Sequence, residues 1–249
     1  MPIKLFRETS GWIMDRAAKE LEKGVFNGLP DINYFLPYTC WKEEFKDRPE
    51  KEINVSFLTH LETGPNEVSQ KKKAKFLTVL EHSDHFICMN KSIQGELARI
   101  YGVSATIIRP GGTFKRPLTF GVCGKVHPTG RKGEVLVQKL VKDGYNFLAW
   151  GSGWPCKTIP GDLGLLDHFY RQIDYLVITS KIEGGPIPVI EALSLGIPVI
   201  APDVGWCWEY PVIRYSTFGQ LKGMLSSLSN LPTWESWIKE HEIFFKGLK

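Results

Sequence analysis

TSKIEGGPIPVIEALSLGIPVI, residues 179–200, decides how this chain of 249 residues is read. The apolar run of residues 174–180 ends here as a strand, and Gly184 and Gly185 then turn the chain. Residues 186–195 carry apolar side chains at helical spacing, and residues 197–201 form another strand. Two glycines let the backbone approach a ligand closely, and Pro186 suits a first helical turn. The free amides of Gly184 to Ile187, with the helix dipole, suit an anion, so the turn reads as a diphosphate cradle. Glu183 and Glu191 are eight residues apart, which along a helix is about 12 Å. That exceeds the ~5–9.5 Å of a glycosidase acid/base pair. It suits one carboxylate at each end of an elongated ligand, although two glutamates on one helix are more often solvent-facing on spacing alone.

Working outward, residues 120–124 read as a strand entering a loop, 134–143 as a helix, 146–150 as a strand and 161–171 as a helical approach. Upstream, residues 2–6 are a short strand, and Thr9-Ser10-Gly11 caps a helical pattern over 12–21. Residues 31–38 mix aromatics with Pro37, and 53–58 alternate as a strand ending at Thr59-His60. Residues 71–81 are helical, 86–89 a buried strand, 92–101 helical and 105–108 a strand. Parallel strands need crossover elements, so this alternation predicts two α/β domains of Rossmann type. The Gly- and Pro-containing stretch 111–117 is the expected linker, giving domains 1–113 and 114–249. An aromatic stripe over 234–248 needs a partner surface, and this helix is expected to pack back on the first domain.

Composition narrows the function classes. Hydrophobic residues make up 43% and charged residues 23%, an ordinary globular balance. The net charge of +4 divides as +3 over residues 1–116 and +1 over 117–249, with one dense run at Lys71, Lys72, Lys73 and Lys75. That run reads as a solvated helix face, and it permits nucleic acid without favouring it. Five scattered cysteines with no C-x-x-C pair fit a reducing, cytoplasmic setting. No apolar segment is long enough to span a membrane, so any membrane contact is expected to be peripheral. His82, Asp84 and His85 lack the spacing of a helical zinc pair and are expected to be structural, so no metal site is expected.

The segment around Glu183 and Glu191 resembles the signature of retaining GT-B glycosyltransferases of family four, in which two glutamates separated by seven residues bracket a nucleotide-sugar. Residues 120–125 with Arg131-Lys132-Gly133 are similar to that family's strand and phosphate-binding Gly-Arg and Lys-Gly elements. Residues 147–153 resemble its second-domain strand and G-x-G turn, and Phe169-Tyr170 with Asp174 its approach to the signature. The resemblance implies a GT-B fold, two Rossmann-like domains facing across a cleft. It implies transfer of a sugar from a nucleotide-diphosphate sugar, such as a UDP- or GDP-sugar, to an acceptor hydroxyl with retention of configuration, without metal or other cofactor. The residues it assigns to catalysis are Lys125, Lys132, Glu183 and His60. To the donor it assigns Ser10, Gly11, Gly124, Arg131, Gly184, Gly185, Pro186, Ile187 and Glu191, with Glu62 close to His60.

Two features depart from the family pattern. Lys125 stands where the family carries Arg, which keeps the charge and loses the bidentate fork. The first domain is short, so the acceptor is not inherited. A glycan or other carbohydrate hydroxyl is expected ahead of a small metabolite or nucleic acid. The rival readings are a sugar-nucleotide or nucleic-acid binding module without catalysis, and a nicotinamide-dependent oxidoreductase using Gly151-Ser152-Gly153. A dinucleotide fingerprint needs a third glycine where Cys156 stands.

Overall fold

The computed structural model describes residues 3–9, 11, 13–62, 67–113 and 116–248. It divides the chain into two compact units, residues 1–115 with 232–249, and residues 116–231. Each unit is a parallel sheet with helices packed on it.

The first sheet contains β1 (Ile3–Arg7), β2 (Ile32–Leu36), β3 (Ile53–Leu58), β4 (His85–Cys88) and β5 (Thr106–Ile107), in that order across the sheet. Helices α1 (Ile13–Leu21), α2 (Glu67–His82) and α3 (Lys91–Glu96) connect strands, and α3 runs on into a π-helical turn, Leu97–Tyr101. Residues 31–38, where aromatics obscure any alternation, contain β2, and all five of its residues are buried. Both faces of the sheet are covered, so no polar side is needed. Ile32, Tyr34 and Leu36 pack with α1, while Phe35 packs with Phe76 and Val79 of α2.

The last helix of the chain, α8 (Trp234–Lys246), belongs to this first unit. Trp234, Trp237 and Phe245 join the cluster formed by α1 and β2, and the Trp237 indole donates to the Ala17 carbonyl at 3.2 Å. A fully buried His241 completes the contact. Its Nδ1 lies 2.9 Å from the Trp237 carbonyl, an acceptor, so Nδ1 carries the proton and Nε2 accepts from the Tyr34 hydroxyl at 2.8 Å. The glycines of the 111–117 stretch are packed rather than free. A Cβ on Gly111 would lie 2.0 Å from the Thr233 backbone, and Gly112 bridges to Thr233.

The second sheet is built from β6 (Thr119–Lys125), β7 (Asn146–Ser152), β8 (Lys157–Ile159), β9 (Tyr175–Val177), β10 (Val199–Ala201) and β11 (Ile213–Arg214). Their order is β11-β10-β9-β6-β7-β8, so the chain moves outward from β6 in one direction and then in the other. Such a reversal opens a crevice at the carboxyl ends of the two central strands, here β6 and β9. Helices α4 (Glu134–Lys142) and α6 (Ile187–Ser194) begin at that edge, and α5 (Leu166–Tyr170) and α7 (Phe218–Ser229) complete the unit. Among the described residues no helix is long and apolar enough to cross a membrane.

Candidate functional site

The carboxyl edge of the second sheet is assembled by backbone contacts between two loops. The loop after β6 lies against the chain leaving β9: the Lys181 amide donates to the Arg131 carbonyl at 2.8 Å, and the Thr179 hydroxyl to the Lys132 carbonyl at 2.7 Å. Gly133, the residue before α4, makes this approach possible. Its φ is +75°, and a Cβ there would meet the Thr179 carbonyl oxygen at 2.0 Å.

The approach brings Lys132 to Glu183. The ammonium lies 2.5 Å from Glu183 Oε1, and the Ser180 hydroxyl donates to the same oxygen at 2.7 Å. The two charged side chains are 18% and 11% exposed, so solvent screens them little. Burial pushes the Glu183 carboxyl up, but the Lys132 and Ser180 hydrogen bonds and the charges of Lys132 and Arg131 outweigh it and hold the group below its ordinary range. Glu183 is therefore an anion with Oε1 occupied. Lys132 has three donor protons and uses one on Glu183.

Eight residues on, Glu191 is half-buried on α6 and accepts at Oε2 from the Tyr170 hydroxyl at 2.6 Å. Glu183 lies in the turn before α6, so the helical rise of 1.5 Å per residue does not apply to the whole interval between the two glutamates. Pro186 likewise stands outside the helix as its N-cap, and Pro188 occupies the first turn. Pro186 has no N–H, so the expected row of amides from Gly184 to Ile187 is reduced to Gly184, Gly185 and Ile187. Gly184 faces open space, whereas a Cβ on Gly185 would lie 2.6 Å from the Trp206 ring. Gly185 thus has a packing reason that the sequence reading did not find.

Lys125 ends β6, is exposed, and forms no ion pair among the described residues. Arg131 is exposed in the loop that follows β6. Gly124 has φ +107°, its carbonyl accepts from the Trp154 indole at 2.7 Å, and a Cβ on Gly151 would lie 2.2 Å from that carbonyl. Gly151 is part of β7, so its lack of a side chain is explained by Gly124 rather than by a dinucleotide.

In the first unit, His60 follows β3. Its Nε2 lies 2.9 Å from Glu62 Oε1, its Nδ1 2.8 Å from the Thr59 hydroxyl, and the Tyr38 hydroxyl donates to Glu62 Oε1 at 2.6 Å. Burial pushes the Glu62 carboxyl up, but these hydrogen bonds and the nearby charges of His60 and Lys72 hold it lowered. Gly11 is exposed with φ +74° in the loop before α1, and Ser10 lies outside the described residues. His82 stacks on Trp41, and Asp84 pairs with Arg48 at 2.6 Å. Among the described residues no group of three or more His, Cys, Asp and Glu side chains is placed to hold a metal.

Tyr170 and Ser180 are the partners of the two glutamates that the residue-type reading did not single out. The signal for Ser180 was its place three residues before Glu183, and for Tyr170 its place four residues before Asp174.

Residues 159–211 match the family described as Glycosyl transferases group 1, a segment that holds Tyr170, Ser180, Glu183, Glu191 and Trp206. Among curated proteins no relative matches. Solved structures similar to the chain include sucrose-phosphate synthase from Thermosynechococcus elongatus, at 15% identity and a TM-score of 0.38, covering 96% of this chain and 80% of that one. Another is the apo form of the lipopolysaccharide outer core galactosyltransferase WaaB, at 14% identity and a TM-score of 0.34, covering 93% and 78%. A third is Anabaena HepE in complex with UDP-glucose, at 11% identity and a TM-score of 0.39, covering 88% and 79%.

Proposed function

We propose that the chain transfers a sugar from a nucleotide-diphosphate sugar to an acceptor hydroxyl with retention of anomeric configuration. The observation that carries this reading is the Lys132–Glu183 pair at the β6–β9 crevice, with Glu191 farther along the same segment, within or beside residues that match the Glycosyl transferases group 1 family. Lys132 turns its remaining donors to the diphosphate, helped by Lys125, Arg131 and the amides of Gly184, Gly185 and Ile187. These groups stabilise the charge that grows on the diphosphate as its bond to the anomeric carbon breaks. Glu183 takes sugar hydroxyls on Oε2, and Glu191 takes the ribose hydroxyls on Oε1.

In the transfer itself, the bond from the anomeric carbon to the diphosphate oxygen breaks as the acceptor oxygen bonds to the same face of that carbon. The acceptor proton passes to the leaving phosphate oxygen, so no protein base and no metal ion enters the scheme. The acceptor is of carbohydrate type and is selected by the first unit.

Incubation of the whole chain with UDP-, GDP- and ADP-sugars, with and without simple glycan acceptors, tests the reading. Release of nucleoside diphosphate with one donor class, and a product of unchanged anomeric configuration by NMR, are expected. Absence of release and of binding with every donor would overturn it.

A further inference from the structure

Tyr170 is 3% exposed, packed in the apolar cluster between β9 and α6, yet it carries a hydroxyl that this packing does not need. A buried hydroxyl is unfavourable unless it is hydrogen-bonded, and phenylalanine would fill the same space without that demand. The hydroxyl donates to Glu191 Oε2 at 2.6 Å, with the Pro188 carbonyl at a long 3.5 Å. The result is a link from α5 to α6, Tyr170 to Glu191, ending on one oxygen of a half-buried carboxylate.

The two glutamates are therefore held differently. Lys132 pairs with Glu183, whereas Glu191 is fixed by a neutral donor at one oxygen and leaves the other unclaimed by the described hydrogen bonds. An anion with one free oxygen in a fixed orientation is suited to a vicinal diol, and it loses most when a hydroxyl is missing from its ligand.

We propose that Tyr170 is a positioning residue that fixes Glu191 for the ribose diol and so makes the site select ribonucleotides over deoxyribonucleotides. This rests on the nucleotide-sugar reading above. The test is titration of the whole chain with a nucleoside diphosphate of the donor's base and with its 2′-deoxy and 3′-deoxy counterparts, in wild type, Tyr170→Phe, Glu191→Gln and the double variant. Wild type is expected to prefer the ribose form by at least ~10-fold. Tyr170→Phe is expected to shrink that preference to about 2–3-fold while raising the donor KM and leaving kcat near wild type. In the Glu191→Gln background Tyr170→Phe is expected to add nothing, because a residue acting through another shows no separate effect once that other is changed.

Full discrimination in a folded Tyr170→Phe, or an equal effect of Tyr170→Phe with and without Glu191, would overturn the positioning role and leave the nucleotide-sugar reading intact. If Tyr170→Phe fails to fold, Glu191→Gln alone carries the test: it is expected to shrink the preference to about 2–3-fold, and unchanged discrimination there would overturn the proposal. Absence of binding by wild type for every nucleoside diphosphate would overturn the functional reading, and this inference with it.

Discussion

Each unit places a tyrosine hydroxyl 2.6 Å from a glutamate: Tyr38 on Glu62 in the first, Tyr170 on Glu191 in the second. In the first unit the same carboxylate oxygen also meets His60, whose other ring nitrogen meets Thr59, and Glu62 is 7% exposed. In the second unit Glu191 stays half-buried with one oxygen unclaimed by the described hydrogen bonds. The sheets differ in the same sense. The first runs β1 to β5 in sequence order, with no reversal, while the second reverses between β6 and β9. Both pairs leave the second carboxylate oxygen unclaimed by the described hydrogen bonds, so what separates them is burial: Glu62 is closed off from solvent and Glu191 is open to it.

The sharpest way to break this comparison is a matched pair of glycine substitutions. Gly133 and Gly11 share nearly the same backbone, φ +75° and +74°, but only Gly133 has a backbone atom where a Cβ would go. Gly133→Ala is expected to destabilise the second unit by at least ~3 kcal/mol, Gly11→Ala the first by about 1 kcal/mol, the cost of left-handed backbone alone. Urea unfolding measures both, and equal losses would show that the loop approach at Thr179 is not a tight constraint.

Next in size is a pH effect confined to the first unit. Burial lowers His241 from 6.5 to about 3, so the unfolded chain takes up a proton below pH 6.5 that the native chain refuses until about pH 3. Stabilisation is complete above that range and is lost as pH falls, by about 2 kcal/mol at pH 5. His241→Gln is expected to flatten the slope between pH 6.5 and 5. An unchanged slope would mean that His241 is not buried as a neutral ring in solution.

Lys132→Ala is expected to lower turnover by more than ~10-fold, about 1.4 kcal/mol in the barrier, as steady-state kinetics on the active donor would read. It also leaves Glu183 with Ser180 as its hydrogen-bond partner. Smallest is Tyr38→Phe, expected to cost about 1 kcal/mol of first-unit stability with nucleotide affinity unchanged. A matching loss of nucleotide affinity would remove the distinction between closed and open pairs.

Much of the second unit was legible because its turns carry their own chemistry. Gly184-Gly185 and the flanking prolines mark the loop, and Glu183 and Glu191 mark its polar ends. The partners were not legible, since Tyr170 reaches Glu191 only through packing of α5 against α6, and Lys132 reaches Glu183 from 51 residues away. The Gly185 contact with Trp206 was hidden for the same reason. In the first unit β2 escaped notice because burial on both faces removes alternation, while α8 was readable from its aromatic spacing.

The proposed function requires that the β6–β9 edge of the second unit hold a nucleotide diphosphate through Lys132. Calorimetric titration of the whole chain with UDP, GDP and ADP, repeated with Lys132→Ala, addresses it directly. Saturable binding of at least one diphosphate is expected, with a loss of at least ~10-fold in affinity in the variant, equivalent to about 1.4 kcal/mol. No binding by any of the three, or binding that Lys132→Ala leaves unchanged, would contradict it.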